Sequence, residues 1–279
     1  MSGIKKMSEI KRILILGSSG QIGAYLTEYF KKKDYDVREF DIVNGEDQDI
    51  RKFESSKLHS AIMTADFIFF LAFDVGGSRY LKKYQHTFDF IHNNSRIMVN
   101  AFDYIKRYEK PFVFASSQMS NMGHSPYGVL KNVGELYTKS LNGLVVKFWN
   151  IYGIEKDMDK SHVITDFIKK GFETGTIDMI TDGTEEREFL YAEDCCEALD
   201  TVMCKYSEFS SSDNLHITSA VSTSILEIAR TIQLYFGGIQ KEIEIVPSEE
   251  KDEVQKDARN IADPYFFFFK QKTAYEMDG

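Results

Sequence analysis

Cysteine, proline and tryptophan are scarce in this 279-residue chain, at three, four and one residue respectively. Cys195, Cys196 and Cys204 are too few for a disulfide framework and lack zinc-ligand spacing, so reduced core thiols and no metal centre are expected. No apolar run approaches the roughly 20 residues needed to cross a bilayer. Ile13-Leu14-Ile15-Leu16 is also too short and wrongly flanked for a signal peptide, which makes a cytoplasmic protein the expectation. Positive charge is in short supply too: 34 Lys and Arg face 43 Asp and Glu, for a net charge of -9. A nucleic-acid partner is excluded on that ground, because it requires a clustered basic patch. The one tight basic run, Lys31-Lys32-Lys33, falls where a first helix should end, complementing the helix dipole.

What the chain does have is apolar content, 43% hydrophobic residues, enough to bury a sizeable core in one large or two intimate domains. Continuous apolar runs at Ile13–Leu16, Asp36–Phe40, Asp66–Ala72, Pro111–Ala115 and Leu144–Phe148 alternate with helical patterns. These patterns cover Gln21–Phe30, Phe53–Ala61, a long stretch from about Lys83 to Arg107, and Pro126–Leu141. Strands without polar alternation are buried on both faces, which implies a parallel sheet covered by helices, a doubly wound α/β fold of Rossmann type. After Gly153 the pattern loosens into Val163–Glu173, Ile177–Ile180, Asp194–Tyr206, Asn214–Ile217 and Ser224–Phe236, as expected of a smaller, interleaved α/β substrate-binding part. The expected division is a cofactor domain over 10–152, with 189–213 returning to it, and a substrate domain over 153–188 and 214–263. Phe266-Phe267-Phe268-Phe269 and the polar residues after it have no amphipathic logic and resemble a translated sequencing adapter, so 265–279 is expected to be a non-native tail.

The first strand runs straight into Gly17-Ser18-Ser19-Gly20-Gln21-Ile22-Gly23, and a helix follows. In that context Gly17 permits a tight turn, Gly20 lets backbone approach a pyrophosphate, and Gly23 allows close packing of the helix. The helix N-terminus adds free N–H groups and partial positive charge for a diphosphate. The second strand ends at Asp41, followed by Ile42. A carboxylate there accepts hydrogen bonds from ribose hydroxyls and repels a 2'-phosphate, so NAD is expected rather than NADP. Arg38, inside the strand, points away from that end.

The glycine spacing resembles the extended branch of the short-chain dehydrogenase/reductase superfamily, the sugar-nucleotide epimerases and dehydratases, and the resemblance runs from Ile13 to about Ile232. It implies that Asp49 and Ile50 border the adenine. It also implies that Phe70-Leu71-Ala72-Phe73 stands for the family's His-Leu-Ala-Ala wall, with bulkier phenylalanine at two of four places. Asn94 resembles the family's buried polar residue near the active site.

Tyr127 and Lys131, four residues apart in a helical pattern, share one face. A free phenol with pKa near 10 is a poor base at neutral pH. An adjacent ammonium and an oxidised nicotinamide both favour the phenolate, which could then accept a proton from a sugar hydroxyl. Lys131 could also hold the nicotinamide ribose. The resemblance makes Ser117 the hydroxyl that holds the reacting oxygen, completing a Ser117, Tyr127, Lys131 set. Two departures matter. Only Gln118 to Pro126 separate serine from tyrosine, which trims a loop over the substrate. Gln118-Met119 also stand where 4,6-dehydratases carry an acidic pair, and neither an amide nor a thioether can protonate a leaving hydroxyl or take a carbon-bound proton.

On the substrate side, the resemblance implies that Asn150 contacts the nucleotide sugar, with Lys147 replacing the usual Arg, and that Arg187 grips the diphosphate. A guanidinium suits that role because its donors form a rigid fork. The expected function is an NAD-dependent sugar-nucleotide epimerase inverting C4 through a transient ketone. The alternatives are an NAD(P)-dependent 4-reductase or dehydratase, and a non-catalytic NAD-binding regulatory protein. A homodimer through the long helix and the Tyr127 helix is what the resemblance implies.

Overall fold

The computed structural model describes residues 10–255 and 266–268. Its first layer is a sheet of β1 (Arg12–Leu16), β2 (Asp36–Phe40), β3 (Phe67–Phe70), β4 (Phe112–Ser117), β5 (Leu144–Phe148) and a later strand, Asn214–Thr218. These six strands pair in parallel. Alternate residues of each apolar run face opposite cores. Leu14 and Leu16 join Ile68, Phe70, Phe112 and Phe114 under one helical layer, while Ile13 and Ile15 join Phe67, Phe69, Val113 and Ala115 under the other. Burial on both faces is why the strands show no polar alternation.

Helices α1 (Gln21–Lys32), α2 (Ser56–Thr64), α3 (Ser78–Tyr84), α4 (Phe88–Tyr108) and α5 (Pro126–Ser140) connect these strands. Two helices differ from the sequence expectation, and in both a cap decides. The helix expected over Phe53–Ala61 starts later, because the Ser55 side chain accepts from the Leu58 N–H, and it runs on to Thr64. The long helix expected from Lys83 is instead two helices, since the Thr87 side chain caps a fresh start by accepting from the Phe90 N–H.

Beyond β5 come β6 (Asn150–Tyr152), α6 (Val163–Glu173), β7 (Thr176–Asp178), β8 (Glu186–Tyr191) and α7 (Ala192–Cys204). After them follow β9 (Asn214–Thr218), β10 (Ser222–Ser224), α8 (Ile225–Gly238), β11 (Glu244–Val246) and β12 (Phe266–Phe268). A third apolar cluster, with Phe167, Ile177, Phe189, Ala229 and Phe236, forms the core of the smaller lobe. Strand β8, hidden in a charged sequence, pairs with β6 and β10 in a three-stranded sheet. The expected boundary before residue 214 falls early, because β9 pairs with β5 in the main sheet and its Leu215 and Ile217 are buried there. Cys195 and Cys196 are buried thiols, as expected, whereas Cys204 is exposed at the end of α7. The suspected tail lies outside the described residues except for β12, which pairs in parallel with β9. Among the described residues no helix is long and apolar enough to cross a membrane.

The order β2-β1-β3-β4-β5-β9 reverses chain direction across the sheet at β1. Ligands in open α/β sheets bind outside the carboxyl ends of strands at such a switch.

Candidate active site

A cavity of about 1020 Å³ opens there, extending from the glycine turn to the smaller lobe. Of the residues named from the sequence, Gly17, Gly20, Gln21, Ile22, Gly23, Asp41, Ile42, Asp49, Ile50, Leu71, Ala72, Phe73, Ser117, Tyr127, Lys131, Asn150 and Arg187 line it, while Phe70, Asn94 and Lys147 do not.

The glycines divide their roles as their geometry dictates. Gly17 adopts φ +87°, and a Cβ on it would sit 2.7 Å from the Ala72 nitrogen, so the turn can press against the end of β3. A Cβ on Gly23 would lie 2.1 Å from the Gly17 carbonyl oxygen, whereas one on Gly20 meets only that oxygen, at 3.4 Å. Gly20 therefore leaves an open cradle at the start of α1. Asp41 braces the turn, accepting from the Ser19 N–H at 3.0 Å and from the Val43 N–H at 3.0 Å. Arg38 lies outside the cavity, exposed and paired with Asp36 at 3.1 Å. Asp49 is held by Arg51 through two bonds of 2.9 Å, so at this rim the sequence reading missed the arginine. The buried side-chain amide nitrogens of Gln21 and Asn150 have no partner among the described residues. Buried donors are rarely left so, and both stand where a dinucleotide or a sugar would supply acceptors.

Ser117, Tyr127 and Lys131 are brought together by β4 and α5. Ser117 closes β4, and its hydroxyl caps the next turn by accepting from the Met119 N–H at 3.2 Å. Pro126 opens α5 behind the N-cap Ser125 and sets the phase that turns Tyr127 and Lys131 inward. Burial pushes the Tyr127 phenol up to about 12, against the smaller, lowering influence of the Ser117 hydroxyl. Burial likewise drives Lys131 down to about 7, against the opposing pull of Glu135. In the cofactor-free protein, Lys131 by itself therefore does not favour the phenolate. Lys131 instead donates to the Ala115 carbonyl at 2.7 Å, and its Nζ is 5.8 Å from the Tyr127 ring centre. The ring directly over that ammonium is Phe73, 3.8 Å away.

Several groups were missed. Glu135, one turn beyond Lys131 and legible from the same helical spacing, accepts from the Ser116 hydroxyl at 2.5 Å and lies 3.5 Å from Lys147. Asp74 accepts from Tyr80 at 2.7 Å and from Lys160 at 2.8 Å. His162 lines the cavity with its Nδ1 2.6 Å from Glu155. Arg187 pairs neither with Glu185 nor with Glu186 as an ion pair. It binds the Asp252 carboxylate and donates to the Glu186 backbone carbonyl at 2.7 Å. Gln118 meets Gln255 from the same returning segment at 3.3 Å. Of the wall, Leu71, Ala72 and Phe73 face the cavity while Phe70 packs in the core against Phe102 and Phe114. Asn94 is fully buried and clamps Asp74, accepting from its N–H at 2.7 Å and donating to its carbonyl at 3.0 Å. Among the described residues no group of three or more His, Cys, Asp or Glu side chains is arranged to hold a metal ion.

Known proteins resemble this chain in sequence and in fold. The model of the NAD-dependent epimerase/dehydratase family matches residues 13–217. A GDP-L-fucose synthase of Sinorhizobium fredii is 34% identical over 90 residues, 30% of this chain but only 28% of that protein's length. A UDP-N-acetyl-α-D-glucosaminuronate decarboxylase of Bacillus cytotoxicus is 25% identical over 260 residues, covering 80% of this chain and 79% of its own. Among solved structures, the UDP-glucose 4-epimerase of Thermotoga maritima superposes with a TM-score of 0.70 at 16% identity, over 95% of this chain and 91% of that one. At that identity the likeness is one of fold.

Proposed function

Because the chain belongs to the NAD-dependent epimerase/dehydratase family, whose members are enzymes acting on sugar nucleotides, we propose that it inverts C4 of a nucleotide-linked sugar through a transient 4-keto sugar. The observation that carries the reading is a single cavity joining the glycine turn, the Ser117/Tyr127/Lys131 triplet and Arg187. The residues present fit the cofactor. Gly20 leaves the cradle for a pyrophosphate, Asp41 lies at the end of β2 for a ribose, and the unpartnered Gln21 amide offers a donor. NAD, when bound, supplies the acceptor and donor of the hydride exchanged with the sugar carbon.

The chain's own residues do the rest. Ser117 holds the C4 oxygen beside the Tyr127 phenol, and Tyr127, ionised when the positively charged oxidised cofactor lies beside it, receives and returns the hydroxyl proton. Arg187, released from Asp252, pairs with the substrate diphosphate as a fork on phosphate. Asn150 offers its unpartnered amide to the sugar. Gln118 and Met119 occupy the cavity wall where elimination would need an acid and a base, so the proposal favours reversible oxidation over dehydration. Ile91 and Val99 on α4, with Val129, Leu136 and Tyr137 on α5, leave an exposed apolar face, which supports a homodimer across these two helices.

The test is incubation of the full-length protein with UDP-, GDP- and dTDP-sugars, following sugar configuration by NMR and reduced cofactor by absorbance. Inversion without net NADH is expected. Stoichiometric cofactor turnover would replace the epimerase with a 4-reductase, and no reaction with any sugar would leave the non-catalytic reading.

A further inference from the structure

Phe73 stands out among the cavity's side chains because it covers the two groups that chemistry requires to be reachable. Its ring centre is 3.8 Å from the Lys131 ammonium and 5.7 Å from the Tyr127 ring, which it meets edge to face. Lys131 is only 4% exposed and Tyr127 8%, although both border a large cavity.

The backbone that carries Phe73 cannot move aside. On one flank the Leu71 N–H donates to the Leu16 carbonyl at 2.9 Å, and Ala72 lies tight against Gly17, where even one added carbon would come within 2.7 Å of its nitrogen. On the other flank both backbone groups of Asp74 are bound by the buried Asn94 side chain. With the backbone held on both flanks, rotation of the phenylalanine side chain about its own bonds, into the cavity it borders, is the direct way to uncover the ammonium.

We propose that Phe73 is a side-chain gate, closed on Lys131 and Tyr127 in the free protein, and that its rotation sets the affinity for the cofactor's nicotinamide ribose. The inference rests on the role of Lys131 in the function proposed above. In the closed position the ring satisfies Lys131 through a cation–π contact and keeps water from the pair. The contact has to be broken before the ammonium can turn to a ligand hydroxyl, so each binding event is weakened by the closed fraction.

Two measurements on the cofactor-free protein test this, each on wild type, Phe73→Ala and Phe73→Leu. The first is NAD affinity by calorimetry, in which Phe73→Ala should bind about thirtyfold more tightly, the scale of one desolvated cation–π contact. The second is the rate at which an amine-acylating reagent labels Lys131, followed by peptide mass spectrometry, in which both variants should label faster than wild type. Phe73→Leu retains apolar volume, so it serves if the alanine variant fails to fold. Unchanged or weaker NAD binding by a folded variant, or Lys131 labelling no faster than in wild type, overturns the gate. If none of the proteins binds NAD, the proposed function fails, and the labelling rate still decides the gate.

Discussion

Replacing Gly23 with alanine should damage the fold, whereas the same change at Gly20, three residues earlier, should damage only cofactor binding. The new Cβ at 23 would stand 2.1 Å from the Gly17 carbonyl oxygen, 2.9 Å from the Gly17 carbonyl carbon and 2.9 Å from the Ser18 Cα. All three neighbours are backbone, so no side chain can swing away to make room. Overpacking of this kind costs about 1–3 kcal/mol when neighbours can partly yield, and here the upper end applies. Alanine recovers roughly 1 kcal/mol of helix propensity inside α1, leaving a net loss of about 2 kcal/mol. For a domain of this size that corresponds to a drop of about 4–8 °C in Tm, readable by calorimetry on the cofactor-free protein. Gly20→Ala meets only one atom, at 3.4 Å, an ordinary contact. Its Tm should stay within about 1–2 °C of wild type, while NAD affinity falls about tenfold or more as the methyl fills the pyrophosphate cradle. A Gly23→Ala protein as stable as wild type, or a Gly20→Ala protein with unchanged NAD affinity, would refute the reading of the turn.

Tyr127→Phe should lower turnover by about 10²–10⁴-fold, the usual contribution of a positioned acid–base group, with NAD affinity preserved in a binding assay. Lys131, held by burial at about 7 against an ordinary 10.5, makes stability depend on pH with a definite sign. Between those values the unfolded chain holds a proton that the folded chain has released, so stability rises with pH across the window. Lys131→Met should therefore be more stable than wild type at pH 6–7, by on the order of a few kcal/mol, with the advantage shrinking toward pH 10 in urea titrations. A constant difference across that range would contradict the burial argument. Arg187→Met should weaken binding of nucleoside diphosphates by about tenfold or more and leave NAD binding unchanged in parallel titrations.

Much of this protein was legible in its sequence because the governing interactions are local or periodic. Unbroken apolar runs specified strands covered on both sides, and glycine spacing after the first of them specified the turn. The i, i+4 spacing of Tyr127 and Lys131, extended by one turn to Glu135, specified a shared inward face. Helix starts at Ser55 and Thr87 could have been read from their capping residues, and were missed where apolar periodicity ran past them.

Other features depend on segments far apart in the chain meeting in space, and no local pattern encodes such a meeting. Asp252 reaches Arg187 across 65 positions and Lys160 reaches Asp74 across 86. The charged strand β8 exists because β6 and β10 flank it. The ionisation of Tyr127 and Lys131 belongs to the same class. Sequence places a phenol and an ammonium one turn apart, and from that alone their charges should help each other. The tertiary structure buries both, gives the ammonium to the Ala115 carbonyl and covers it with Phe73. Desolvation then outweighs proximity, because removing water from a charge costs more than a neighbour beyond hydrogen-bonding distance returns.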